Sequence, residues 1–148
     1  MSGDRVLLLD DASGRMGRFV QVLARLPREP RWVLIGGLAV NVRLGRVHRA
    51  TNDVDTVTHG QPRLVELLVE GGAEKLSAAK VRLLDPGVEV DVMESTEGQA
   101  LPIGDEERTF ALVRRWAMTS AGEVELASVM PEGSVAEPCH VWVASARL

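Results

Sequence analysis

Four apolar residues in a row, Trp32-Val33-Leu34-Ile35, stop at Gly36-Gly37, and Leu38, Ala39 and Val42 then follow at helical spacing up to Gly45. A short run of aromatic and β-branched side chains favours a buried strand, and two glycines allow a tight exit from it. The segment reads as strand, Gly-Gly turn and short helix. That passage commits the chain to mixed α and β structure.

The flanking sequence carries the same kinds of signal. Met16, Phe19, Val20, Val22, Leu23 and Leu26 place one apolar stripe on a helix that Ser13 is expected to cap and that Pro27 and Pro30 end. Asn52 to Thr58 alternates as a strand, and residues 62 to 70 read as an amphipathic helix closed by Gly71-Gly72. Val81 to Leu84 and Val88 to Met93 are strand-like, and Asp85-Pro86-Gly87 between them predicts a β-hairpin. Ser95 to Gly104 reads as a loop, Thr109 to Met118 as either strand or helix, and Glu123 to Ala127 and His140 to Ala144 as two further strands. With 148 residues, 45% of them apolar, one core is affordable, so one α+β domain over residues 1–148 is expected.

Composition removes several functional classes. There is no apolar stretch long enough to span a membrane, and Met1-Ser2-Gly3-Asp4-Arg5 lacks the order of a signal peptide; a soluble, cytoplasmic protein without membrane partners is expected. Cys139 is the sole cysteine, which rules out an internal disulfide and reads as a buried small hydrophobe rather than a zinc ligand. The net charge of −4 argues against a dedicated nucleic-acid binder. The charge is uneven, however: residues 1 to 50 hold nine Arg against four acids, and the remainder eight Lys or Arg against seventeen acids. That basic part either meets phosphates or forms a solvated helix face.

Asp53 and Asp55 lie two apart on a strand, so their carboxylates project from one face at a separation suited to oxygen-liganded Mg²⁺. Phosphoryl chemistry needs such charge neutralisation at the transferring phosphate and the leaving pyrophosphate. A third carboxylate should come from a neighbouring strand. Val88, Val90 and Val92 turn to the core, which leaves Glu89 and Asp91 on the other face; Asp91, shorter and nearer the strand centre, is the choice, with Glu89 as its substitute. Gly36-Gly37 lets backbone N–H groups approach phosphate oxygens at the positive end of the following helix.

The segment Leu34-Ile35-Gly36-Gly37-Leu38-Ala39-Val40, with Gly45, Arg49, Thr51 and Asp53-Val54-Asp55, resembles the AbiEii-type toxin family of polymerase-beta-like nucleotidyltransferases. That family shows Gly-Gly, a short helix, then Arg-x-Thr-x-Asp-hydrophobic-Asp, and the sequence matches at each position. Val90-Asp91-Val92 is similar, more loosely, to the strand bearing the third carboxylate. The resemblance implies a nucleotidyltransferase fold, a mixed β-sheet flanked by helices, and transfer of a nucleotidyl group from an NTP with Mg²⁺. Gly36 and Gly37 would contact the triphosphate, with Arg49 and Thr51 supporting the site. Asp53, Asp55 and Asp91 would hold metal, and Asp91 would also serve as the base at the acceptor hydroxyl. Some such toxins modify tRNA acceptor ends and are opposed by an antitoxin; other relatives modify small molecules such as aminoglycosides. In these toxins a helical C-terminal region follows a strand like Val141 to Ala144, whereas this chain stops at Leu148, so a minimal version or a fragment is expected.

Three other readings compete. A silent domain that keeps this fold as a binding module is disfavoured, because it would have no need to keep three like charges clustered. A dinucleotide-binding domain lacks its third spaced glycine. A small-molecule nucleotidyltransferase remains the alternative within the same chemistry. His59 and His140 read as structural, Lys80 as a solvated strand-end residue within possible reach of a triphosphate, and Trp32, Trp116 and Trp142 as core rather than base-stacking platforms.

Overall fold

The computed structural model describes residues 4–47, 51–59, 63–85, 87–95 and 103–145. The elements run β1 (Asp4–Leu9), α1 (Arg15–Arg25), β2 (Trp32–Ile35), α2 (Gly36–Leu44), β3 (Asp53–Thr58), α3 (Leu64–Glu70), β4 (Glu74–Ser77), β5 (Lys80–Leu83), β6 (Val88–Glu94), α4 (Asp105–Ser120), β7 (Gly122–Val129) and β8 (Cys139–Val143). The strands form one mixed sheet in the order β1-β7-β8-β2-β3-β6-β5-β4. The pairs β1/β7, β8/β2 and β3/β6 are parallel, and the others antiparallel.

Strand alternation divides the apolar side chains between the two faces of this sheet. On one face Leu34, Val54, Val90, Leu126 and Val141 join Phe19 and Leu23 of α1, Leu38 and Val42 of α2 and Leu64 and Leu68 of α3 in the larger core. On the other, Val33 and Val57 meet Ala117 and Met118 of α4, with Ile35, Met93 and Trp142 at its margin. The smaller core leaves part of the second face uncovered. It is the face on which Asp53, Asp55 and Asp91 lie.

The hairpin forms as its turn chemistry predicts: Leu83 pairs with Val88 and Val81 with Val90, and the Gly87 N–H donates to the Leu83 carbonyl at 2.7 Å. The stretch open to either assignment is helical, α4, with Asp105, Glu106 and Glu107 in the first turn, where acids suit the positive helix end. Residues 96–102 of the expected loop lie outside the described residues. The expected cap of α1 is corrected. Gly14, at φ 71°, is the N-cap, and no side-chain cap bond is made from that position. The nearly fully buried carboxylate of Asp10 accepts the N–H groups of Met16 and Gly17 at 3.0 and 2.8 Å instead. Ser13 donates its hydroxyl to Asp11 and accepts the Arg15 N–H only at a long 3.4 Å, so its part in the cap is secondary. Strands β1 and β4, at the two edges of the sheet, have no counterpart in the sequence reading.

Candidate active site

β3 and β6 are far apart in sequence but adjacent and parallel in the sheet, in a register that sets Asp53 beside Glu89 and Asp55 beside Asp91. Val54, Thr56, Val90 and Val92 are buried behind them, so the intervening residues are forced to the opposite face. The fully buried Thr56 hydroxyl donates to the Asp91 carbonyl at 2.9 Å and fastens the two strands at the level of the carboxylates. Asp53, Asp55 and Asp91 each bring one carboxylate oxygen within 4.8 Å of the others. Glu89 shares their face but leans to Arg82, at 4.0 Å, so of the two candidates on β6 Asp91 completes the cluster.

On the other side of β3, Ile35 of β2 pairs with Asp55. The chain then turns through Gly36, whose φ of 76° lies in the left-handed region. A Cβ at Gly36 would stand 3.0 Å from the Asp55 Cγ and would overlap a carboxylate oxygen. Glycine is required there twice over, for the turn and for the close approach. α2 begins at this residue without a side-chain cap, so its first N–H groups open beside Asp55.

The electrostatics follow from this crowding. Burial, then the Asp53 charge, then Asp91 push the Asp55 carboxyl up to about 7. Asp53 is also raised, by burial first and by Asp91 next. Lys80 opposes both shifts; it faces Asp91 across the hairpin, with Nζ 3.5 Å from Oδ1. Three half-buried carboxylates that repel one another are a hard-oxygen donor set of the kind that takes a divalent cation, and the cation would relieve the repulsion. With an uncapped helix N-terminus at its edge, the same site can accept a polyphosphate.

A family model for the nucleotidyl transferase AbiEii toxin of type IV TA systems matches residues 18–139, from α1 to the start of β8. The chain belongs to the AbiEii nucleotidyltransferase toxin family. Among solved structures it is similar to the crystal structure of ANT(2″)-Ia in complex with adenylyl-2″-tobramycin, with 20% identity over 90% of this chain and 70% of that one and a TM-score of 0.47. No curated protein matches it.

Two further expected site residues of this AbiEii-family chain, Gly37 and Thr51, lie on the elements that flank the carboxylates. Gly37 is in the first turn of α2, half-buried. Thr51 is buried and donates its hydroxyl to the Asp53 carbonyl at 3.2 Å, shaping the entry to β3. Arg49, with His48, lies outside the described residues. Lys80, read as a solvated strand-end residue, is instead the cation paired with Asp91. Trp32 is buried, with its indole N–H on the Pro27 carbonyl. Trp142 is only half-buried and lies under the Arg31 guanidinium, 4.0 Å from its ring centroid. Cys139 is buried as expected, and burial raises its thiol to about 11. No helix among the described residues is long and apolar enough to cross a membrane.

Proposed function

We propose that this nucleotidyltransferase moves a nucleotidyl group from an NTP to tRNA as the toxin of a toxin–antitoxin pair, with Asp53, Asp55 and Asp91 holding Mg²⁺. The observation that carries this reading is the meeting of three carboxylates from two parallel strands beside the uncapped start of α2. When bound, Mg²⁺ supplies the charge that offsets the phosphates and the departing pyrophosphate.

The chain's own residues do the rest. The N–H groups at Gly36 and Gly37 receive the triphosphate, whose charge suits the positive helix end. Asp91, nearest Lys80, takes the proton from the acceptor hydroxyl. The freed oxygen bonds to the α-phosphorus as the bond to the bridging oxygen of pyrophosphate breaks. Lys80, with Nζ 3.5 Å from Oδ1, holds the Asp91 carboxylate in place for that transfer. Arg49 and Thr51 support the triphosphate from the segment entering β3. An antitoxin partner is supported by the family to which the chain belongs, and tRNA as the acceptor is our own reading. We also take residues 1–148 as one catalytic domain working in the cytoplasm.

The test is incubation of the purified protein with each α-labelled NTP, Mg²⁺ and total tRNA, with Asp53→Ala as control. Label on tRNA only with intact Asp53 is the expected result. Label on an added aminoglycoside and never on tRNA would move the acceptor to the small-molecule class, and no Mg²⁺-dependent label on anything would remove the enzymatic reading of the site. Growth inhibition that survives Asp53→Ala would place toxicity elsewhere.

A further inference from the structure

Next to the carboxylates, beside the smaller core, a cavity of about 520 Å³ lies between α2 and α4. Its floor is Val57 and Met93, each two residues beyond a carboxylate on the same strand face, Val57 after Asp55 and Met93 after Asp91. Two strand residues span roughly 7 Å, so the cavity begins about that far along the strands from the carboxylate positions. Gly36, which touches Asp55, is part of its wall. Val40 of α2 and Val113 of α4, both more than 40% exposed, stand along its sides, and half-buried Trp116 faces it from α4.

The charges around this space are one-sided. Arg43 and Arg114 line it and no acid does, among the described residues. Arg43 is fixed by donating to the carbonyls of Val143 and Ala144 at the end of β8, which holds α2 against the sheet. An apolar slot with an indole in its wall, arginines but no acid, and an opening onto a polyphosphate site suits a flat, uncharged ring tethered to phosphate. It is unsuited to a polycation, whose ammonium groups would find no acceptor charge there.

We propose that this cavity is a nucleobase pocket of the transfer site, with Trp116 as its stacking face and Val113 at its side. The inference rests on the reading of Asp53, Asp55 and Asp91 as the transfer site. The base belongs either to the NTP or to the acceptor nucleotide of the RNA, since both join at the α-phosphorus, and the recognition is the same.

Two variants probe it: Val113→Glu, at an exposed position where the fold tolerates charge, and Trp116→Leu, which removes the aromatic face. The probes are each NTP and inorganic tripolyphosphate, with Mg²⁺, in equilibrium binding, together with KM for tRNA in the labelling assay. If the NTP base enters, both variants raise its Kd about tenfold or more while tripolyphosphate binding stays as in wild type. If the acceptor base enters, NTP binding is unchanged and KM for tRNA rises by a similar factor. Wild-type values for both quantities in both variants overturn the proposal. Competition of an aminoglycoside such as tobramycin for the cavity, relieved by Val113→Glu, overturns it as well. Asp55→Asn separates the two readings: if it keeps full Mg²⁺-dependent tripolyphosphate binding and labelling, the carboxylate assignment fails, whatever the cavity variants do.

Discussion

Replacing Asp55 with Asn keeps the shape of the side chain and removes its titration, and the structure fixes what this should do to stability without metal. The folded site raises this carboxyl from an ordinary 3.8 to about 7. The native state therefore binds the proton more tightly than the unfolded chain. The associated stability is fully present below pH 3.8 and is lost as pH rises towards 7. In a dry site that difference would correspond to about 4 kcal/mol, and screening of the half-exposed cluster by solvent reduces it to about 1–2 kcal/mol. The assay is urea unfolding followed by circular dichroism at pH 5 and pH 8, in EDTA, for wild type and Asp55→Asn. Other titrating groups cancel when the change between the two pH values is compared across the two proteins. At pH 8 the variant should be the more stable by about 1–2 kcal/mol, and the gap should be smaller at pH 5. Millimolar Mg²⁺ at pH 8 should stabilise wild type and leave the variant nearly unmoved, since only wild type offers the full ligand set. Equal stability of the two proteins at pH 8 in EDTA would refute the claim that like charges are held together here at a cost.

Gly36→Ala should destabilise the fold by about 1–2 kcal/mol through the left-handed φ alone, and should weaken Mg²⁺ binding by displacing the Asp55 carboxylate; calorimetric titration of Mg²⁺ reads the second effect apart from the first. Thr56→Val removes a buried donor from the Asp91 carbonyl and should cost about 1–2 kcal/mol in urea unfolding, with a cost near zero counting against its role as the fastener of β3 to β6. Asp10→Ala should cost about 2 kcal/mol by uncapping α1, yet leave labelling activity per folded molecule as in wild type; a selective loss of activity would instead tie the N-terminus of α1 to the chemistry. Lys80→Met removes the cation that holds Asp53 and Asp55 down, so the lower limb of the pH–activity profile should move to higher pH, and an unmoved or downward-shifted limb would contradict the pairing.

The part of the site legible in sequence is the part that local periodicity governs. Alternation along Asn52 to Thr58 and Val88 to Met93 fixes which side chains share a face, so the common face of Asp53 and Asp55, and of Glu89 and Asp91, follows from the spacing of the valines alone. That these two faces meet does not follow, because β3 and β6 are parallel neighbours joined by a long crossover through α3, β4 and β5, and no local rule pairs such strands. The edge strands escape notice for a related reason. Leu7-Leu8-Leu9 suits a helix as well as a strand, and Glu74-Lys75-Leu76-Ser77 is a polar, exposed edge whose identity comes from its hydrogen bonds to β5. The cap of α1 depends mainly on Asp10, four residues before Gly14, so the rule that favours a serine next to the helix finds only the longer, secondary bond to Arg15.

Lys80 is the instructive case, because its position could be worked out from the turn. Once Asp85-Pro86-Gly87 closes an antiparallel hairpin with Leu83 opposite Val88, each step back along β5 matches one step forward along β6. Three steps from that pair bring Lys80 opposite Asp91, on the face that the alternation already assigns to the carboxylates. The cation is thus specified by the same hairpin that delivers the third acid. This coupling has a consequence for variants: a change of one residue in the turn would slide Lys80 off Asp91 and turn the side chains of β5 to the opposite face relative to β6. Inserting one glycine after Gly87 should therefore abolish labelling as thoroughly as Asp91→Ala, even though no carboxylate has been removed.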